Sequence, residues 1–314
     1  PRPLTVAASS HSLLPKTPGR KDIPPHSVNR LSITAMITPA DIKDPRMWHL
    51  LLEVRPGELS AVAYSLYDAH GLLEQRIPLR LPAAGEIADA SSRLRALEDA
   101  VYDTPALLMD FRRVTVLFDT LRFLAVPDII EPGSAMMDDA FCSAFPQAGR
   151  REILVSPVPQ MKLNIAFEVD ADTIGFIRRT FHNASLRHVL APLAIYFRQK
   201  YPGGGKGKTL VNFDGDRMDL IVLGAVGPQA LNSFRFRDPM DAVYYILSAR
   251  QQLGLADTDE IMIGGDRSTR AAVTPVLRRF VRYVMPAIFP AVMFRVGRDA
   301  LAAPFPLILA PLTQ

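Results

Sequence analysis

The sequence predicts an α/β protein of two tandem units, each a mixed sheet that opens with a three-strand antiparallel meander and carries flanking helices. Three observations carry this. Residues 48–79 and 209–236 each read as three short apolar segments joined by two tight turns. LEVRPGELSAVAY at 52–64 aligns with VNFDGDRMDLIVL at 211–223 at a constant offset of 159, matching Leu52 with Val211, Val54 with Phe213, Leu59 with Met218 and Val62 with Ile221. After each meander come a helical pattern and an apolar strand.

The chain can be justified element by element. Residues 1–46 hold eight prolines and little hydrophobic periodicity, which predicts an extended leader. The first half is expected over 47–188 and the second over 189–314. HLLLEV, LSAVAYSLY and LLEQRIPL are the first three strands, with turns at RPGE and DAHG. Ile87, Leu94, Leu97 and Val101 then share a helical face that stops before Pro105. RVTVLF is a β-branched strand, and LRFLAVP follows it as an expected hairpin partner. Pro132 opens a helix with Met136, Met137, Phe141 and Phe145 on one side. REILVSPVP and KLNIAFEV are strands, and Asp170 caps a helix that runs to Phe181. A short strand at 185–188 and a helix over 189–201 complete this part, with Pro192 tolerated in the first helical turn.

In the second half, Asp238-Pro239-Met240-Asp241 is a helix start, and Gly254 ends that helix. Its core face is expected to be Met240, Val243, Tyr244 and Leu247, with one of the Tyr244-Tyr245 rings inside and one outside. EIMIGG reads as a buried strand. A long helix should carry Val273 through Val284, with a kink at Thr274-Pro275, and the apolar 291–312 stretch is expected to add a last strand.

Composition bounds the function. The chain has 314 residues, 48% hydrophobic and 22% charged, which is globular rather than disordered. All of the +4 net charge falls in residues 1–46, so the body offers no basic nucleic-acid groove. Residues 301–312 are apolar but broken by Pro304, Pro306 and Pro311, so no membrane span is expected. The start has no secretory h-region, and the single cysteine, Cys142, fits a reducing cytoplasm. Its place on an amphipathic helix predicts a buried thiol.

The two meanders, together with VTVLFDTLRFLAVP, LNIAFEV, NSFRFRDPMDAVYYIL and IMIGGD, resemble the actin-like ATPase superfamily of actin, the Hsp70 ATPase domain and sugar kinases. The likeness covers 48–289 and is nearest to the bacterial cell-division and pilus-assembly members and to an uncharacterised bacterial family of the same fold. It implies two actin-like (ribonuclease H-like) domains, with ATP and Mg2+ between them. Hairpin turns in that superfamily grip phosphates and metal, and a glycine-rich loop touches the adenosine. The resemblance therefore implies Asp214, Gly215 and Asp216 in the second turn, with Asp214 on the metal, and Gly264, Gly265 and Asp266 at the adenosine loop. Each has a plainer reading, a hairpin turn suited to Asp and Gly or a glycine link from strand to helix.

The first turn departs from the pattern. Arg55-Pro56-Gly57-Glu58 stands where an acid, a glycine and a hydroxyl are expected, and proline removes an N–H donor. Glu53 should point to the other face. No catalytic base can be placed. Residues 202–209 nearly spell a P-loop, but follow a helix and precede a strand, the reverse of that motif; Lys206 and Lys208 could lean toward an anion. The histidines have no metal spacing. Two functions follow: a non-catalytic scaffold or assembly protein with a protein partner, or an ATPase or phosphotransferase using the cleft between the halves.

Overall fold

The computed structural model describes residues 36–65, 71–82, 89–146, 151–202, 205–291 and 303–313. Most of the leader, residues 68–70 of the DAHG turn, Ile87 and the Gly203-Gly204 pair lie outside the described residues. The first half runs β1 (Trp48–Val54), β2 (Glu58–Ser65), β3 (Leu72–Pro78), α1 (Ala90–Tyr102) and β4 (Arg113–Phe118). It continues through β5 (Phe123–Pro127), α2 (Ala135–Ala144), β6 (Arg151–Val158), β7 (Leu163–Asp170), α3 (Ala171–Thr180) and β8 (Ser185–His188). Then come α4 (Leu190–Lys200), β9 (Lys208–Asp214), β10 (Arg217–Leu223), β11 (Pro228–Arg235), α5 (Pro239–Gln252), β12 (Glu260–Gly265), α6 (Arg267–Leu277), β13 (Val284–Pro286) and α7 (Phe305–Leu309).

Two five-stranded sheets share one plan. The orders are β3-β2-β1-β4-β8 and β11-β10-β9-β12-β13, with three antiparallel strands followed by two parallel ones in each. Even the register agrees with the 159-residue offset, since Val54 pairs with Leu59 and Phe213 with Met218. Helices cover both faces of these sheets, which is why β1 and β10 are buried along nearly their whole length rather than on alternate residues.

Four expectations need correcting. The β5 strand does not return on β4; it pairs with β7 in a separate antiparallel sheet of order β5-β7-β6, because Phe123 and Val126 find their apolar partners there and under α2. Cys142 is exposed, since α2 turns Met137 and Phe141 inward and Cys142 lies one residue round from that row. Along α5 the inward row is Ala242, Val243, Ile246 and Arg250, while Met240 and Tyr244 are exposed. Buried Arg250 sets that roll by donating to Thr209 Oγ1 (3.1 Å) and the Ala256 carbonyl (2.6 Å). The helix α6 stops at Leu277, two residues after Pro275, and Val284 pairs with Ile261 as a strand. At the C-terminal end 305–309 form a helix, and residues 292–302 of the stretch expected to add a strand lie outside the described residues.

Local capping is as the sequence implies. Asp170 accepts from the Asp172 and Thr173 amides at 3.0 and 3.3 Å. Asp238 accepts from the Met240 amide at 2.7 Å, Asp241 reaches back to the Asp238 amide at 3.1 Å, and Gly254 closes α5 at φ +67°. Asp238→Ala should therefore cost about 1 kcal/mol of stability, read as a lower denaturation midpoint in guanidinium at unchanged m.

The largest core cluster joins the halves. Leu50, Leu52, Val116 and the α4 row Leu190, Leu193 and Phe197 belong with Leu210, Ile221 and Met262 of the second sheet. Leu307 and Ile308 of α7 pack on Leu51, Val62 and Leu117, so the end of the chain lies on the first sheet. Among the described residues no helix is long and apolar enough to cross a membrane.

Candidate functional site

The shared plan brings equivalent turns of the two halves together. With the 159-residue offset, Arg55 corresponds to Asp214 and Glu58 to Arg217. The Asp119 amide donates to the Val54 carbonyl (3.0 Å) and the Asp266 amide to the Phe213 carbonyl (2.9 Å), so Asp119 and Asp266 also correspond. Each turn presents its charge to the other turn.

Arg55 and Asp214 form an ion pair across the cleft. The Arg55 guanidinium also donates from Nε to Glu53 at 2.9 Å. Glu53 thus faces the second half, contrary to the expectation, because residues two apart on a strand share a face and Arg55 is turned that way. Beside them Arg217, 1% exposed, lies 2.9 Å from Asp119, 3.1 Å from Asp219 and 3.6 Å from Glu53. Asp219 accepts further bonds from Asn212 Nδ2 (3.2 Å) and Ser233 Oγ (2.7 Å). Arg235 closes the rim, binding Asp119 at 2.8 Å and the exposed Asp216 at 2.5 Å.

Electrostatics follow from this packing. Burial works to lower the Arg217 pKa, but Asp219, Asp119 and Glu53 outweigh it and hold the group well above its ordinary value. Burial works to raise the Asp119 carboxyl, yet Arg217 and Arg235 prevail and keep it below the usual carboxylate range. Beneath the network His188 is fully buried; its Nδ1 accepts from the Leu190 amide (3.2 Å) and its Nε2 faces the Thr120 carbonyl (2.9 Å). These partners select the neutral Nε2–H tautomer.

The glycine loop comes to the same place. Gly265 has φ +82°, and a Cβ there would sit 1.8 Å from the Phe213 carbonyl oxygen, so only glycine lets β12 end against the second turn. Asp266 then accepts from the Gly215 amide at 2.9 Å. Asp214, Gly264, Gly265 and Asp266 border a cavity of about 500 Å³ together with Arg267 and Arg270. Asp216 stands apart on Arg235. Lys206 rests over the Tyr283 ring (4.9 Å) and Lys208 pairs with Glu260 (2.5 Å).

Sequence reading missed Asp119, Arg217 and Arg235. A signal existed: Glu53/Arg55 and Arg217/Asp219 are opposite charges two apart in otherwise apolar strands. Such a pair shares a buried face and demands partners.

Comparison with known proteins bears on the fold. No curated protein matches the chain. A Bacteroides thetaiotaomicron protein with actin-like ATPase fold and unknown function superposes with a TM-score of 0.65 at 19% identity, over 80% of this chain and 96% of its own. A PilM–PilN type IV pilus biogenesis complex follows at TM-score 0.47 and 12% identity, covering 86% and 98%. Ethanolamine utilization protein EutJ from Carboxydothermus hydrogenoformans gives 0.42 at 9%, covering 87% and 93%. Residues 47–284 match the model of a family described as protein of unknown function, DUF3822. Three-quarters of the chain lies in that match, and the protein belongs to this DUF3822 family of unknown function, built on the actin-like ATPase fold.

Proposed function

We propose that this protein is a non-catalytic actin-like scaffold or assembly factor that acts in the cytoplasm by holding a protein partner. In this reading 1–46 is a leader, and 47–188 and 189–314 are two halves fixed against each other, with α7 returning to the first. The observation that carries it is the Arg55–Asp214 pair, backed by buried Arg217. Mg2+ and a phosphate do not fit these turns. A metal on Asp214 would have to displace a guanidinium, and Pro56 lacks the N–H that a phosphate oxygen would take.

A second reading, an ATPase or phosphotransferase, is favoured by the cavity of about 500 Å³ beside Gly264 and Gly265, where the Arg270 Nε has no hydrogen-bond partner among the described residues. Calorimetric titration with ATP and MgCl2, followed by phosphate-release assay, separates the two. The scaffold reading expects no release above background and no magnesium-dependent binding. Turnover, or tight binding abolished by Asp214→Ala in a folded variant, overturns it.

A further inference from the structure

A second, larger cavity lies away from the cleft, toward the other end of the first sheet. Its volume is about 970 Å³. Arg113 at the start of β4 borders it, whereas Phe118 at the other end of that strand leads to Asp119 in the charge network; five residues of strand put these ends about 17 Å apart. The cavity therefore belongs to neither hairpin turn.

Its lining is cationic at the rim and apolar below. Arg46, Arg112, Arg113 and Arg187 line it together with Leu186 and Ile195. The one carboxylate of the described lining, Asp110, is already paired with Arg46 at 3.3 Å. Arg187 carries the argument. It is half-buried on β8, its Nη1 donates to the Thr313 carbonyl at 3.2 Å, and among the described residues it makes no ion pair. Burial pushes its pKa down. A guanidinium drawn partly from water with no counter-ion among the described residues is costly and is offset by an anion entering beside it. Arg112 is exposed on the same rim and likewise makes no ion pair among the described residues.

We propose that this cavity binds a small organic anion carrying phosphate groups, the phosphates on Arg187 and Arg112 and the apolar body against Leu186 and Ile195. A free-standing small molecule is favoured over a peptide because the volume falls within the usual range for small-ligand sites, roughly 300–1,000 Å³. Arginine's planar fork matches phosphate oxygens bidentately.

Inorganic pyrophosphate is the probe, titrated calorimetrically into the full chain without magnesium. Binding is expected, weakened about tenfold by Arg112→Gln and by Arg187→Gln and unchanged by Arg267→Gln in the cleft. Arg112 is exposed, so its variant tests the site even if Arg187→Gln fails to fold. Three results would overturn the proposal. These are no pyrophosphate binding at millimolar concentration, loss of binding in Arg267→Gln rather than Arg112→Gln, and tighter binding of citrate or of a glutamate-rich peptide than of pyrophosphate. Because this site is separate from Asp214, failure here leaves the scaffold reading untouched.

Discussion

Arg217→Ala is expected to destabilise the fold by about 3–5 kcal/mol, the largest loss available from a single polar side chain here. The guanidinium is 1% exposed and is shared among Asp119, Asp219 and Glu53. Its removal leaves three carboxylates buried together. They would repel one another, and only Arg235 beside Asp119 and Arg55 beside Glu53 would remain to offset their desolvation. The loss should shrink on acidification, because protonated carboxyls need no counter-ion. Asp119 is held below the usual carboxylate range only while its arginines are present. In the variant its carboxyl rises, and the stability gap to the parent closes as pH falls. Guanidinium denaturation at pH 7 and pH 5 gives both numbers. A loss under about 1 kcal/mol at pH 7 would mean that the cleft is wet, and the argument for a closed, non-catalytic cleft would fall with it.

Acid should weaken the protein well before its carboxylates titrate. His188 and His49 are buried, and burial lowers each pKa from 6.5 to about 4. For His188 the nearby Arg217 also disfavours the charged ring, while the Thr120 carbonyl, Asp219 and Asp119 work the other way. For His49, whose Nε2 meets Thr115 Oγ1 at 2.9 Å, the second cause is Arg113. The folded state prefers neutral imidazole, so each group contributes fully above pH 6.5, where the unfolded chain is neutral too. Between pH 6.5 and 4 the unfolded chain takes up protons that the folded one refuses. Stability then falls, by about 3 kcal/mol for each ring. The Asp119 contribution is lost only below the ordinary carboxylate pKa, so the two windows separate. Denaturation midpoints should hold from pH 7.5 to 6.5 and then drop steadily to pH 4.5, and His188→Gln should remove roughly half of that drop. A flat profile across that range would refute the buried, neutral assignment.

The two hairpins were readable because their signals are local. Strand period and turn chemistry put Val54 opposite Leu59 and Phe213 opposite Met218 at one offset, and both pairings are present. Asp170, Asp238 and Gly254 cap helices for the same reason: a cap depends on residues within one turn. Errors came where packing outvoted pattern. Helical spacing offered Met240 and Tyr244 as a core face, but Arg250 had to reach Thr209 and rolled the helix away from them. Val284 continued an apolar helical row, yet the parallel edge of β12 took it as a strand.

The candidate site divides the same way. Asp214, Gly215 and the Gly264-Gly265-Asp266 loop stood out as turn residues, and they do lie side by side, with Asp266 on the Gly215 amide. Their chemistry was not readable from the turns alone. Arg55 was visible as a departure from a phosphate turn, but its partner lies 159 residues away. Asp119 just past β4, Arg217 on β10 and Arg235 on β11 come from two sheets, and no local rule joins them.

The amino-acid order alone therefore settles the repeated meander, its register and its helix caps, since each is a short-range consequence of side-chain period and backbone geometry. Folding of the two halves against each other decides which charges meet at the turns. Placing one copy's arginine against the other's aspartate makes a buried ion pair, because Coulomb attraction between distant residues becomes strong only once the chain has brought them into one low-dielectric cleft.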